Sequence, residues 1–263
     1  LPVAIATGII IYLVFALIPV LDGFATAANP VFQQLLPVFM FLVLFVTFCK
    51  VDFHKLRPVA WHWWIGLFQV LTVGAIMALI ICFNLTGENL ILAEAVLTCI
   101  ICPCASAAAV VTQKLGGNLE EMTTYTFISN FITALLIPIC FPMIDKAADI
   151  HFFEAFALIL YKVFTVLVVS MILAYIVKHY AKNICQRIIS IKDLSYYLWG
   201  CSLLIVSGTT MKNILHADTN ITFLLIIAVS SLALCLFQFG CGRAIGSQFN
   251  QTVNAGQALG QKN

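Results

Sequence analysis

Nine apolar runs, each near or above the ~18 residues that suggest a membrane span, follow one another along this chain. They occupy roughly residues 1–21, 30–49, 60–83, 90–112, 121–144, 152–177, 194–215 and 221–240, and a last one opens near Gln251. Lipid offers no partner to a free N–H or C=O, so such runs can only become helices that satisfy their own backbone. Composition agrees: 62% of the residues are hydrophobic and 9% charged, where a soluble domain carries about 25% charged residues. The expected class is an all-α polytopic membrane protein with the bilayer as its first partner. A net charge of +2 without a basic tail gives no reason to expect a nucleic-acid partner. The ten cysteines lie mostly inside apolar runs without zinc-ribbon spacing, which predicts free thiols and no bound metal.

The polar breaks between runs alternate in charge. Lys50, Lys55 and Arg57 follow the second run, Lys114 the fourth, Lys178, Lys182, Arg187 and Lys192 the sixth, and Arg243 the eighth. The other breaks hold Asp22, Glu88, Asp145, Asp149 and Asp218, with Lys146 and Lys212 as their cations. Basic loops stay in the cytoplasm, so the even-numbered runs end there and the N-terminus starts there, in a cell (inner) membrane. Residues 22–29 and 84–89 read as short turns. Within the long basic connection, residues 184–191 are either an ordinary loop or a segment on the membrane surface. Trp61, Trp63 and Trp64 beside a basic turn read as an aromatic belt, with His54 and His62 expected at the same interface.

The fourth run contains Cys102-Pro103-Cys104 followed by Ala105, Ser106 and three alanines. Proline removes a backbone donor and pushes its predecessor out of helical geometry, and the small residues let another backbone approach. A packing kink is the alternative. The ninth run carries a comparable interruption at Gly256-Gln257-Ala258-Leu259-Gly260-Gln261-Lys262-Asn263. In secondary transporters paired breaks mark the substrate and ion site. The breaks fall in runs four and nine, five apart, which predicts a five-plus-five inverted repeat with nine spans present and a tenth missing from this chain. The chain opens on Leu1 without a charged leader and stops at the second break, so it is expected to be part of a longer protein.

Cys102-Pro103, the small residues, Val110, Thr112 and Gly117-Asn118 together resemble the fourth span of the bile acid:sodium symporter family, within the bile/arsenite/riboflavin transporter superfamily. That span reads Cys-Pro-Gly-Gly, two variable residues, Ser-Asn, then Gly-Asn or Gly-Asp. Gly260-Gln261-Lys262-Asn263 looks like the family's ninth-span Gly-Met-Gln-Asn, and Gln69 falls where the family has a sodium-coordinating Gln. The resemblance implies a panel domain (1–50 and 151–216) and a core domain (59–144 and 219–263), with the two broken helices crossing in the core and substrate bound between the domains. It also implies sodium, but the chain resembles a divergent, bacterial-type member that lacks the usual sodium ligands. The family's Ser-Asn ligands fall on Ala108 and Ala109, its ninth-span Glu on Ala258, the ninth-span Gln on Lys262 and a serine on Met122, while Thr126 is kept.

Alanine methyls supply no oxygen to sodium, and Lys262 offers a substitute: an ammonium in the space of the ion, able to attract an anion or to titrate. A lysine that snorkels to the interface is the alternative. Glu94, about two turns before Pro103, is a second candidate proton site, a lysine's partner or a residue of the outer mouth. Lys162 lies in the sixth run, facing a cavity or snorkelling. Asn130, Thr133, Ser207, Thr209 and Thr210 are expected as helix–helix hydrogen bonders. The candidate substrate and ion contacts are therefore Gln69, Cys102, Pro103, Cys104, Ser106, Ala108, Ala109, Thr112, Thr126, Gln261, Lys262 and Asn263, with Glu94 and Lys262 as candidate proton sites.

These features predict a secondary carrier of a small organic anion working by alternating access, sodium-independent or proton-coupled, with no cofactor and with oligomerisation left open. An arsenite-type efflux carrier using Cys104 as metalloid ligand is one alternative. A non-transporting membrane protein is the other. No metal triad, nucleophile–base pair or phosphate loop points to an enzyme.

Overall fold

The computed structural model describes residues 2–18, 22–144, 152–217 and 219–262, with side chains at all of these except 22–29, 33, 152 and 162–164. Asn263, the acidic turn with Asp145 and Asp149, Asp218 and the side chain of Lys162 lie outside the described residues. Eleven α-helices follow in order: α1 Pro2–Leu17, α2 Asp22–Lys50, α3 Ala60–Cys82, α4 Gly87–Ile101, α5 Ala108–Lys114, α6 Leu119–Ile144, α7 Phe152–Tyr180, α8 Lys182–Ser190, α9 Leu194–Leu215, α10 Ile221–Ser247 and α11 Thr252–Gly260. A 3-10 turn, Phe53–Lys55, sits between α2 and α3. Among the described residues there is no strand.

Among the described residues five helices are long and apolar enough to cross a membrane, or six if α8 and α9, bent by 67° at their junction, count as one broken span. The chain is thus a multi-pass membrane protein. At 16 and 15 residues, α1 and α4 fall below the usual length of a spanning helix. Two sequence expectations are corrected. Residues 22–29 are the start of α2 and not a turn. The long basic connection is not a plain loop but contains the nine-residue helix α8.

The described chain divides into two compact units. The first comprises residues 1–50 and 167–221. In it α9 packs against both α1 and α2, and α8 packs on α2. Glycine lets α1 and α9 touch backbone to backbone: a Cβ at Gly8 would run into the Leu204 carbonyl, and one at Gly208 would lie 3.2 Å from the Gly8 oxygen.

The second unit comprises residues 51–166 and 222–263. Here α3 packs on α4, α6 and α11, while α5 packs on α6 and α11. Two apolar clusters form its interior. One gathers Trp61, Ile65, Ala108, Ala109, Tyr125, Ala258 and Leu259; the other gathers Val73, Met77, Leu97, Ile100, Ile101 and Cys140. Trp61 and His62 depart from the expected belt: both are buried, with Trp63 and Trp64 alone exposed. The reason is helical phase. Position 61 points at α6, where Trp61 Nε1 donates to Glu121 Oε2 at 2.7 Å and the His62 ring lies 5.8 Å from that of Tyr125.

Candidate functional site

The second unit contains two helices that stop short. α4 ends at Ile101 because Pro103 forces Cys102 into extended geometry (φ −55°, ψ 144°). The chain stays extended to Cys104 and resumes as α5 at Ala108. α11 ends at Gly260, and Gln261 is again extended (φ −99°, ψ 94°). The two interruptions meet. Cys104 and Lys262 form an isolated antiparallel bridge, and the Ala105 N–H donates to the Gln261 carbonyl at 2.9 Å.

A helix end buried in lipid must find partners for its last carbonyls. For α4 they come from neighbouring helices. Gln69 Nε2, on α3, donates to the carbonyls of Ile100 and Ile101 at 3.2 Å each and reaches that of Cys102 at 3.5 Å. Thr133 on α6 donates to the Ile101 carbonyl at 2.7 Å, and Ser129 on the same helix accepts from the Cys104 N–H at 2.8 Å. For α11 the Cys235 thiol on α10 donates to the Gly260 carbonyl at 3.5 Å. Glycine allows α11 this proximity to α10: a Cβ at Gly242 would strike the backbone of Ala255, and one at Gly260 would strike the Phe239 ring.

The far ends of the half-helices are also tied. The fully buried Asn254 of α11 accepts from the Asn118 N–H at 2.9 Å and donates to the Asn118 carbonyl at 3.2 Å. Gly117 makes room for it, and Gly116 turns the chain with φ 82°.

What the crossing leaves unsatisfied is as informative. Gln69 Oε1, Thr112 Oγ1, Gln261 Oε1 and Lys262 Nζ are buried and have no hydrogen-bond partner among the described residues. The Lys262 ammonium interacts electrostatically with the Cys102 and Cys104 thiols. Lys262 thus stands at the C-terminal, negative ends of α4 and α11.

Of the sequence-derived candidates, Cys102, Pro103, Cys104, Gln261 and Lys262 form the crossing itself, and Gln69 lines it. Ser106 is half-buried just beyond it. Ala108, Ala109 and Thr112 are buried on α5. Thr126 spends its hydroxyl proton on the Met122 carbonyl at 3.0 Å. Glu94 is half-buried on α4, and no ion pair joins it to a lysine among the described residues. Among the described residues no three His, Cys, Asp or Glu side chains come together to hold a metal. Sequence reasoning missed Ser129, Cys235 and Asn254. The signal for Ser129 was present: Thr126, Ser129 and Thr133 recur at helical spacing along one face of α6, a polar stripe in an apolar helix.

A family model described as the sodium bile acid symporter family matches residues 37–217, well over half of the chain. The chain belongs to the sodium bile acid symporter family. The family comprises transporters and not enzymes, so the protein is a transporter of that kind. The match covers the Pro103 interruption and ends before α10 and α11. A search of curated proteins found no match.

The family implies sodium, and the residues present do not fit it at one place. Ala108, Ala109 and Ala258, each at most 2% exposed, share one apolar cluster and bring methyl groups where a ligand would need oxygens. The orphaned Gln69 and Gln261 oxygens would suit a cation, but the Lys262 ammonium is already at the crossing they line.

Proposed function

We propose that this protein is an alternating-access carrier of a small organic anion in which the Lys262 ammonium takes the place of a co-transported sodium ion. The observation that carries the reading is the buried Nζ of Lys262 at the meeting of two helix C-termini. Each terminus presents a partial negative charge. In secondary transporters such ends attract the coupling cation, which here is supplied covalently by the chain. The loss of side-chain oxygens at Ala108, Ala109 and Ala258 supports the same conclusion. The orphaned donor on Lys262 gives an anion a cationic partner.

On this reading residues 1–50 and 151–216 form the panel and 59–144 and 219–263 the core, within a five-plus-five inverted repeat. The basic turns face the cytoplasm of a cell (inner) membrane and the N-terminus starts there. Gln69 and Gln261 contribute polar atoms at the crossing that holds Lys262. Coupling to protons through Lys262 or Glu94 is the alternative to ion-independent transport.

Uptake of a panel of radiolabelled organic acids into proteoliposomes, with sodium replaced by choline, tests the proposal. Uptake indifferent to sodium in the unmodified chain and lost in Lys262→Gln is expected. Uptake that requires sodium, or that survives Lys262→Gln with an unchanged pH profile, would overturn it.

A further inference from the structure

Helix α8 is amphipathic, and the rest of its unit covers only part of its apolar side. On a helical projection Ile184, Cys185, Ile188 and Ile189 share one arc, while Lys182, Asn183, Gln186, Arg187 and Ser190 share the other. Cys185, at the centre of the apolar arc, is buried against α2. Ile184 and Ile189 at its flanks remain 56% and 40% exposed, and Ile191 just beyond remains 51% exposed. The axis of α8 turns 67° away from α9. A short amphipathic helix set at this angle to a long apolar one suits the membrane plane.

Two further observations fix the depth. Tyr180, at the end of α7, and Tyr197, in the first turn of α9, are 86% and 65% exposed, and exposed tyrosine concentrates at the headgroup level. The polar arc and its C-terminal flank carry Lys182, Arg187 and Lys192, all exposed and without an ion pair among the described residues.

We infer that α8 is an interfacial docking surface for the anionic phospholipid headgroups of the leaflet on the basic side of the membrane. Ile184, Ile189 and Ile191 seat in the acyl boundary, and the three cations meet lipid phosphates. Charge complementarity selects this occupant. An apolar protein partner would leave the three cations unmatched, and in zwitterionic lipid the phosphate is already balanced by its own choline. The inference does not rest on the transport reading.

The test is thermal unfolding of the full chain in detergent, titrated with phosphatidylglycerol, with phosphatidylcholine and inorganic phosphate as separate controls. A ligand that binds the folded state raises the melting temperature once its concentration passes Kd and then logarithmically, so the concentration at which the rise begins reports affinity. Phosphatidylglycerol alone is expected to give the rise. Each Lys or Arg near an anionic surface contributes about a factor of five, so Lys182→Gln/Arg187→Gln/Lys192→Gln should move the onset to a roughly hundredfold higher concentration. The charge-retaining Lys182→Arg/Lys192→Arg should leave the onset in place, and high salt should raise it in the unmodified chain. An equal rise with phosphatidylcholine, a rise with inorganic phosphate, or an unmoved onset in the triple variant would overturn the inference. Because the onset is read relative to each variant's own lipid-free melting temperature, a less stable variant remains informative.

Discussion

Lys262 lies opposite Cys104 in an antiparallel main-chain bridge, and its ammonium is buried without a hydrogen-bond partner among the described residues. The bridge secures the backbone of two interrupted helices, and the side chain adds a positive charge where two helix C-termini converge. A cation partly buried at a helix C-terminus gains up to about 2 kcal/mol, equivalent to about thirtyfold in an equilibrium. Lys262→Met is therefore expected to reduce uptake by about tenfold or more while the backbone bridge persists. Lys262→Arg, which keeps the charge, should retain more uptake than Lys262→Met. Initial rates in proteoliposomes at matched protein levels check the order.

Gln69 supplies one amide group to the carbonyls that Pro103 strips from α4. Gln69→Leu keeps much of the volume and removes the donor. Leaving buried carbonyls without it should cost about 1–3 kcal/mol. Thermal unfolding in detergent should show the loss, and Gln69→Glu should be at least as damaging because a carboxylate would face carbonyl oxygens.

Asn254 makes two hydrogen bonds to the backbone of one residue, Asn118. Asn254→Ala should lower stability by about 1–3 kcal/mol. Asn254→Asp keeps the acceptor for the Asn118 N–H and faces the Asn118 carbonyl with a second oxygen. Asn254→Ser is too short to span both groups. Neither variant should restore the melting temperature of the unmodified chain, because the Asn118 backbone needs an acceptor and a donor in one plane.

Gly242 and Gly260 both face close neighbours, of different kinds. Gly260→Ala meets the Phe239 ring, which a smaller side chain can relieve, so Phe239→Leu should recover part of the lost stability. Gly242→Ala meets the backbone of Ala255, which cannot rotate away. Overpacking typically costs about 1–3 kcal/mol, and the Gly242 variant should lie at the upper end without rescue by Phe239→Leu. Melting temperatures of the two single and two double variants decide this.

Several of these residues show where sequence reasoning reaches and where it stops. The end of α4 was legible because Pro103 acts on its immediate neighbours. The start of α2 was misread because Asp22 and Asn29 look like turn residues, yet a helix in a membrane protein runs on wherever its backbone would otherwise go unpaired. Trp61 and His62 were misplaced because a tryptophan cluster beside cations suits an interface, and nothing local shows which one of the three rings turns toward Tyr125. Asn254 carries no local mark of its bond to Asn118, a residue of the connection between α5 and α6 that is far away in the chain.

The amino-acid sequence by itself determined the class of molecule and the places where its helices stop. Apolar length, proline and small-residue runs act over a few neighbouring positions and need no partner to be read. Only the tertiary structure decided that Cys104 pairs with Lys262, that Gln69, Ser129 and Thr133 turn toward one broken end, and that the ammonium of Lys262 is left without a hydrogen bond. Those facts depend on which faces of α3, α4, α6 and α11 converge. Convergence is settled by side-chain volume and by the search of buried polar groups for partners across the whole unit.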